Sequence, residues 1–281
     1  MSARTRPRKI AGWQFFNENV EVCDVVRPGG LVALEGDDKK VAKWFIQVLQ
    51  GSRKVLDLGC GSGFPGLYVA PHVETLAGMD AAPNMIVAAQ ANATKLGVKN
   101  ASFEVGGTKG IRFEDEEFDG AILCGLLESM DWETVDRMTF EVKRVLVPGG
   151  RIAIVDRDWQ NILDKAPSSE AIIKIKKEHL ILQFVERISS PPMERDFRYL
   201  IDSNSLLGQR FREELNDEVC VHTKINRDEL EQQDFLDAWY DETAQFDAET
   251  LTELILSKGF RAVKVESLPV WGKTLFLTAI K

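Results

Sequence analysis

Val55-Leu56-Asp57-Leu58-Gly59-Cys60-Gly61-Ser62-Gly63-Phe64-Pro65-Gly66 is the stretch that decides the fold. A short apolar run carrying one acid opens into four glycines. Glycine has no Cβ, so the backbone can turn sharply there and come close to a ligand. A helix beginning after such a turn presents unpaired backbone N–H groups. Open α/β sheets bind nucleotide-like molecules at these carboxyl ends of their strands. Two frames fit the residues. Gly61-Ser-Gly-Phe-Pro-Gly66 satisfies the dinucleotide pattern G-x-G-x-x-G. That frame starts several residues beyond the strand and puts Pro65 inside the phosphate-binding turn. Asp57-x-Gly59-x-Gly61-x-Gly63 starts at the strand with a carboxylate. It suits a ligand with an ammonium group, needs no pyrophosphate, and fits the strand register better.

Outward from this turn, short apolar runs alternate with helical periodicity over residues 53–158. The expected strands are Lys54–Leu58, Thr75–Asp80, Ser102–Val105, Asp119–Cys124 and Arg151–Asp156. Pro83 opens a helix that runs to Leu96, with Gly97 at its C-terminal cap. Asp131 N-caps another through Leu146, which Pro148-Gly149-Gly150 stops. Strands that alternate with helices pair in parallel and make a doubly wound sheet. Beyond Asp156 the rhythm breaks and resumes at Asp247, which N-caps a helix ending at Gly259. Arg261–Glu266 and Thr274–Ile280 are then joined too closely for a crossover, so they pair antiparallel. The expected architecture is α/β: a mostly parallel seven-stranded sheet with an antiparallel last strand. Residues 51–159 and 247–281 form its core, 1–50 an N-terminal helical extension, and 160–246 a mostly helical insertion that serves as a substrate lid.

Composition narrows the function classes. The chain has 281 residues with 35 Lys and Arg against 44 Asp and Glu, a net charge of −9. Residues 160–247 hold 11 basic and 19 acidic side chains, so that segment carries −8 of the total. An acidic surface beside a site repels phosphates, which argues against nucleic acid as a partner. No apolar run reaches the roughly 18 residues of a membrane span. Cys23, Cys60, Cys124 and Cys220 lie far apart, without the spacing of a zinc site or a disulfide framework, so no metal is expected and a reducing cytoplasm is the expected compartment. The basic start Met1–Lys9 lacks the apolar region of a secretory signal.

Four motifs, in order and at family spacing, carry a resemblance. Asp57-Leu-Gly-Cys-Gly-Ser-Gly63 resembles motif I of the class I S-adenosylmethionine-dependent methyltransferases. Asp80 closes the second strand where that family has an acid for both ribose hydroxyls. Phe118-Asp119-Gly-Ala-Ile-Leu-Cys124 is similar to its fourth-strand motif, and Arg144-Val-Leu-Val-Pro-Gly-Gly-Arg-Ile-Ala-Ile154 to its Pro-Gly-Gly and fifth strand. The resemblance implies that Asp57 and the backbone of Gly59, Cys60, Gly61 and Gly63 hold the methionine part of S-adenosylmethionine. Asp80 would take the ribose, Ala81 and Met85 would flank the adenine, and Gly107 and Thr108 would meet its edge. Cys124 and Gly125 would face the sulfonium end. Relatives commonly carry an acid at the position of Gly107, so backbone groups or Thr108 must serve the adenine amino group.

Methyl transfer needs an in-line arrangement of nucleophile, methyl and sulfur, and a base only if the nucleophile carries a proton. Glu128, Asp156 and Tyr199 are the candidate catalytic residues, with Asp158, His179 and His222 behind them. Each acid has a plainer role, Glu128 as a helix-start carboxylate and Asp156 as a loop cap. Cys220 and His222 would share a strand face but make only two ligands. The insertion is rich in aromatic residues, among them Trp159, Trp239 and Tyr240. They would line an acceptor pocket or simply pack. The signature of amino-methylating nucleic-acid enzymes is missing, so a small neutral or cationic acceptor is expected. A nicotinamide-dependent reductase using Gly61–Gly66 and a non-catalytic S-adenosylmethionine-binding module are the alternatives.

Overall fold

A computed structural model describes residues 34–107, 110–127, 130, 132–158, 246–270 and 274–281. All of them belong to one compact unit, Gly29–Lys165 with Thr243–Lys281. The strands are β1 (Lys54–Leu58), β2 (Thr75–Asp80), β3 (Ala101–Val105), β4 (Phe118–Cys124), β5 (Leu146–Arg157), β6 (Arg261–Leu268) and β7 (Thr274–Ile280). They form a single seven-stranded sheet in the order β3-β2-β1-β4-β5-β7-β6. β1 to β5 pair in parallel, and β7 runs antiparallel to both neighbours. This is the expected α/β class. The expected extension over 1–50 falls outside the described residues except for its end, and the insertion over 160–246 does so except for Phe246.

Helices α1 (Gly36–Val48), α2 (Gly66–Val69), α3 (Pro83–Leu96), α4 (Trp132–Val145) and α5 (Ala248–Ser257) accompany the sheet. Strand periodicity splits the core in two. Leu56, Leu58, Ile152 and Ile154 join Val142, Leu251 and Ile255 in one apolar cluster. Val55, Ala153 and Val155 join Val41, Phe45 and Leu67 in the other. Asp57 shares the strand face of Val55. Because β1 lies between two parallel partners, Asp57 pairs in register with Gly78 on one side and Ile122 on the other. The same pairing brings the carboxyl ends of β1, β2, β4 and β5 to one edge, which is where the site forms.

Several expected ends hold in detail. β1, β2 and β7 start and stop at the expected residues, and α3 ends on Gly97 at φ +69°. Asp247 caps α5 by accepting from the Thr250 amide at 2.7 Å. Asp131, the expected cap of α4, lies outside the described residues. β5 departs from expectation. It runs from Leu146 straight through Pro148-Gly149-Gly150, because Leu146 pairs with Phe118 at the base of β4 before a register shift. Lys281 seals this stretch: Gly149 donates to the Lys281 carbonyl and the Lys281 amide to the Gly150 carbonyl, at 3.1 and 2.9 Å.

Candidate functional site

The glycine turn is built on the end of β2. The amides of Gly59 and Cys60 both donate to the Met79 carbonyl, at 2.8 and 3.1 Å, and Gly63 donates to the Cys60 carbonyl at 2.8 Å. Gly59 and Gly63 hold φ +70° and +108°, where side chains strain the backbone. Close packing excludes a Cβ as well. At Gly59 it would lie 2.5 Å from a Leu126 methyl, and at Gly66 2.2 Å from Asp57 Oδ2. The turn therefore needs glycine for conformation and for space.

Two carboxylates flank it. Asp57 is only 1% exposed, and among the described residues neither of its oxygens has a partner in good hydrogen-bond geometry. Burial raises its pKa to about 8; the Gly66 N–H, close by but short of good hydrogen-bond geometry, opposes the shift and the Asp80 charge adds to it. A buried polar group without a partner is costly, so this one is poised for a cationic donor. Asp80 differs. Its Oδ2 accepts from the Gly61 amide and its Oδ1 from the Ala82 amide, each at 2.9 Å. Burial raises its pKa while those N–H groups pull it back. A carboxylate has about four acceptor positions, so room remains for two hydroxyl donors. Burial, with Asp57 and Asp80 adding to it, pushes the Cys60 thiol well above its usual range, so it is no nucleophile.

The other expected positions divide. Ala81 is half-buried beside Asp80, and Met85 is closed off from solvent. The Gly106 amide donates to the Asp80 carbonyl at 2.9 Å, which brings exposed Gly107 near the same strand end. Cys124 is half-buried, and Gly125, at φ +59°, donates to the Val155 carbonyl at 2.8 Å. Thr108, Glu128 and Tyr199 lie outside the described residues. Asp156 is buried and its carboxylate is occupied. Oδ2 accepts from the amides of Leu126 and Leu127 at 3.0 and 2.7 Å, and Oδ1 from Arg157 at 2.9 Å. Its evident work is to hold the backbone after β4, whose Leu126 roofs Gly59. Asp158 is likewise buried and accepts from Ser267 Oγ at 2.6 Å.

Two residues of the site escaped sequence reading. Leu126 covers the turn, and Asn92 on α3 reaches the Ser62 carbonyl at 2.9 Å. A polar residue on the apolar face of a helix was the available signal for Asn92; Leu126 offered none.

S-adenosylmethionine fits these groups. Its ammonium matches the unpartnered Asp57, and its ribose hydroxyls match Asp80. A dinucleotide does not fit as well. Its pyrophosphate would meet the Asp57 carboxylate, and α2, only four residues long, offers little dipole.

Residues 55–150 match the family described as methyltransferase domain. An uncharacterized methyltransferase, YcgJ of Bacillus subtilis, is 33% identical over 107 residues, 38% of this chain and 42% of that one. The 2-heptyl-1-hydroxyquinolin-4(1H)-one methyltransferase of Mycobacteroides abscessus is 31% identical over 112 residues, 40% of this chain and 47% of that one. A shorter match, 45% over 58 residues (21% of this chain and 13% of that one), is to an uncharacterized RNA methyltransferase of Staphylococcus epidermidis. The chain thus spans less than half the length of the curated relatives it matches. Among solved structures, the [4+2]-cyclase SpnF has TM-score 0.59 at 16% identity over 99% of each chain. An S-adenosylmethionine dependent methyltransferase from Mesorhizobium loti has TM-score 0.53 at 13% identity, over 88% of this chain and 98% of that one. The likenesses to solved structures speak for the fold, the sequence matches for the domain, and neither supports the reductase alternative. Residues 55–150 thus carry a methyltransferase domain, and the glycine turn, the two carboxylates and the sheet order around it are those of the Rossmann-like S-adenosylmethionine-dependent methyltransferase fold.

Proposed function

We propose that the chain transfers a methyl group from S-adenosylmethionine to a small organic acceptor by in-line displacement. The observation that carries this reading is Asp57, a buried carboxylate beneath a glycine turn that has no hydrogen-bond partner in good geometry among the described residues. When bound, S-adenosylmethionine supplies a methyl carbon on a cationic sulfur leaving group. Asp57 balances the ammonium, the glycine turn accommodates the methionine backbone, and Asp80 takes the ribose hydroxyls. Holding the reacting atoms in line can supply about 7–11 kcal/mol of the barrier. Where the acceptor carries a proton, Glu128, Tyr199 or Asp156 is the proposed base, Asp156 with most of its acceptor positions already taken by backbone donors.

A small acceptor is favoured over nucleic acid by the acidic segment 160–247, which we propose as the lid. The relative named for a hydroxyquinolone supports the same reading. No helix among the described residues is long and apolar enough to cross a membrane, and we place the reaction in the cytoplasm. Incubation with methyl-labelled S-adenosylmethionine and separate metabolite and RNA fractions of a cell extract tests the proposal. Label in a compound of the metabolite fraction is expected. Label confined to RNA would overturn the small-acceptor reading, and tight cofactor binding without any transfer would favour the non-catalytic module. Asp80→Ala should abolish calorimetric binding of S-adenosylmethionine and S-adenosylhomocysteine; undiminished binding would refute the assigned cofactor site.

A further inference from the structure

We propose that Asn92 is a positioning residue for the cofactor, fixing the glycine turn in the shape that receives the methionine half. The inference rests on the S-adenosylmethionine reading above. Asparagine is a poor residue for a helix interior, yet Asn92 sits within the fourteen residues of α3 and is 6% exposed. A buried amide needs a partner. Asn92 finds it outside its own helix, donating from Nδ2 to the Ser62 carbonyl at 2.9 Å. Ser62 is also buried, and it stands between Gly61 at φ +50° and Gly63 at φ +108°.

That position matters because of peptide geometry. The Ser62 carbonyl and the Gly63 N–H belong to one planar trans unit and point in opposite directions. Flanking glycines would let this unit rotate freely. Asn92 holds its oxygen toward α3, and the Gly63 amide in turn donates to the Cys60 carbonyl at 2.8 Å. The plane of the 62–63 peptide is therefore held from both ends. Ala89, whose Cα lies 3.7 Å from where a Gly63 Cβ would be, lets the helix approach this closely. α3 also begins directly after Asp80-Ala81-Ala82, whose Ala82 amide donates to Asp80. One helix thus fixes both halves of the site: its start stands beside the ribose carboxylate, and its third turn anchors the methionine turn.

The test compares S-adenosylhomocysteine affinity, apo thermal stability and amide exchange of residues 59–64. Asn92→Asp keeps the shape and removes the donor; Asn92→Leu keeps the bulk. Thr139→Ala is the control, since buried Thr139 bonds only within α4. Both Asn92 variants should bind about tenfold more weakly and exchange the Gly61 and Gly63 amides faster. Thr139→Ala should lose stability with affinity within twofold of wild type. Asn92 variants whose affinity stays within twofold of wild type would overturn the proposal. In unmutated, nitrogen-labelled protein, the Asn92 side-chain amide should be protected and should shift as S-adenosylhomocysteine is added. An unprotected signal that does not move would also overturn it. Failure of the wild-type protein to bind at all would instead remove the cofactor reading, and this inference with it.

Discussion

Asp57 and Asp119 stand on neighbouring strands toward opposite ends of the sheet, and the fold treats them in opposite ways. Both Asp119 oxygens accept from the Arg53 amide at 2.9 Å, and Oδ1 also accepts from the Lys54 amide at 2.9 Å. That carboxylate ties the start of β1 to β4. Asp57, more deeply buried, is left without a well-formed hydrogen bond among the described residues. A carboxylate that serves only the fold is satisfied by the fold. One left unsatisfied at a strand end marks where a ligand completes the structure.

The largest expected effect breaks the ligand side of this comparison. Asp57→Asn should weaken S-adenosylhomocysteine binding at least 100-fold, about 3 kcal/mol, as expected when one partner of a buried charge pair is lost. The apo protein should at the same time become more stable at pH 8 and above, because a desolvated charge is gone. Calorimetry and thermal unfolding check both, and unchanged affinity would end the contrast between the two acids.

The pH dependence sharpens the same point. Asp57 titrates near 8 in the fold and near about 3.9 in an unfolded chain. Between those values the folded chain holds a proton that the unfolded chain has released, so stability falls as pH rises. The contribution is complete below about pH 4 and is lost as pH rises through about 8. Apo wild type should therefore lose thermal stability relative to Asp57→Asn between pH 5 and pH 9. Bound S-adenosylhomocysteine should flatten that difference by supplying a counter-charge. A difference that does not vary with pH would show that Asp57 is ionised throughout.

Asp119→Ala should do the reverse of Asp57→Asn. It should lower unfolding free energy by about 1–3 kcal/mol, the cost of orphaned backbone donors, and leave affinity within twofold. Urea unfolding and calorimetry read the two effects. The smallest effects separate two glycines. An alanine Cβ at Gly61 meets nothing within 4 Å and only its φ of +50° is strained, so about 1 kcal/mol is expected. At Gly63 the Cβ would lie 2.5 Å from Leu67 as well, so Gly63→Ala should be the more destabilised of the two.

The strands β1 and β2, the helix α3 and the placing of Asp57 and Asp80 at strand ends were legible because their causes are local. An apolar run, a proline at a helix start, a glycine at its end and an acid before a glycine turn each act within a few residues. Strand β5 was read too short because its first residues are strands only by virtue of Phe118 and Lys281, distant in the chain. The hydrogen-bond partners of Asp156 are hidden from the sequence for the same reason. Nothing near it in the sequence shows that the amides of Leu126 and Leu127, some thirty residues earlier, occupy it.

The sequence by itself determined the sheet class, the glycine turn and the two acids that flank it, since backbone preference and hydrophobic period are properties of short segments. Tertiary structure alone decided which acid is satisfied and which is left open. Hydrogen-bond partners such as Asn92 for Ser62, or Gly61 for Asp80, come from residues that only strand pairing and helix packing bring within 3 Å.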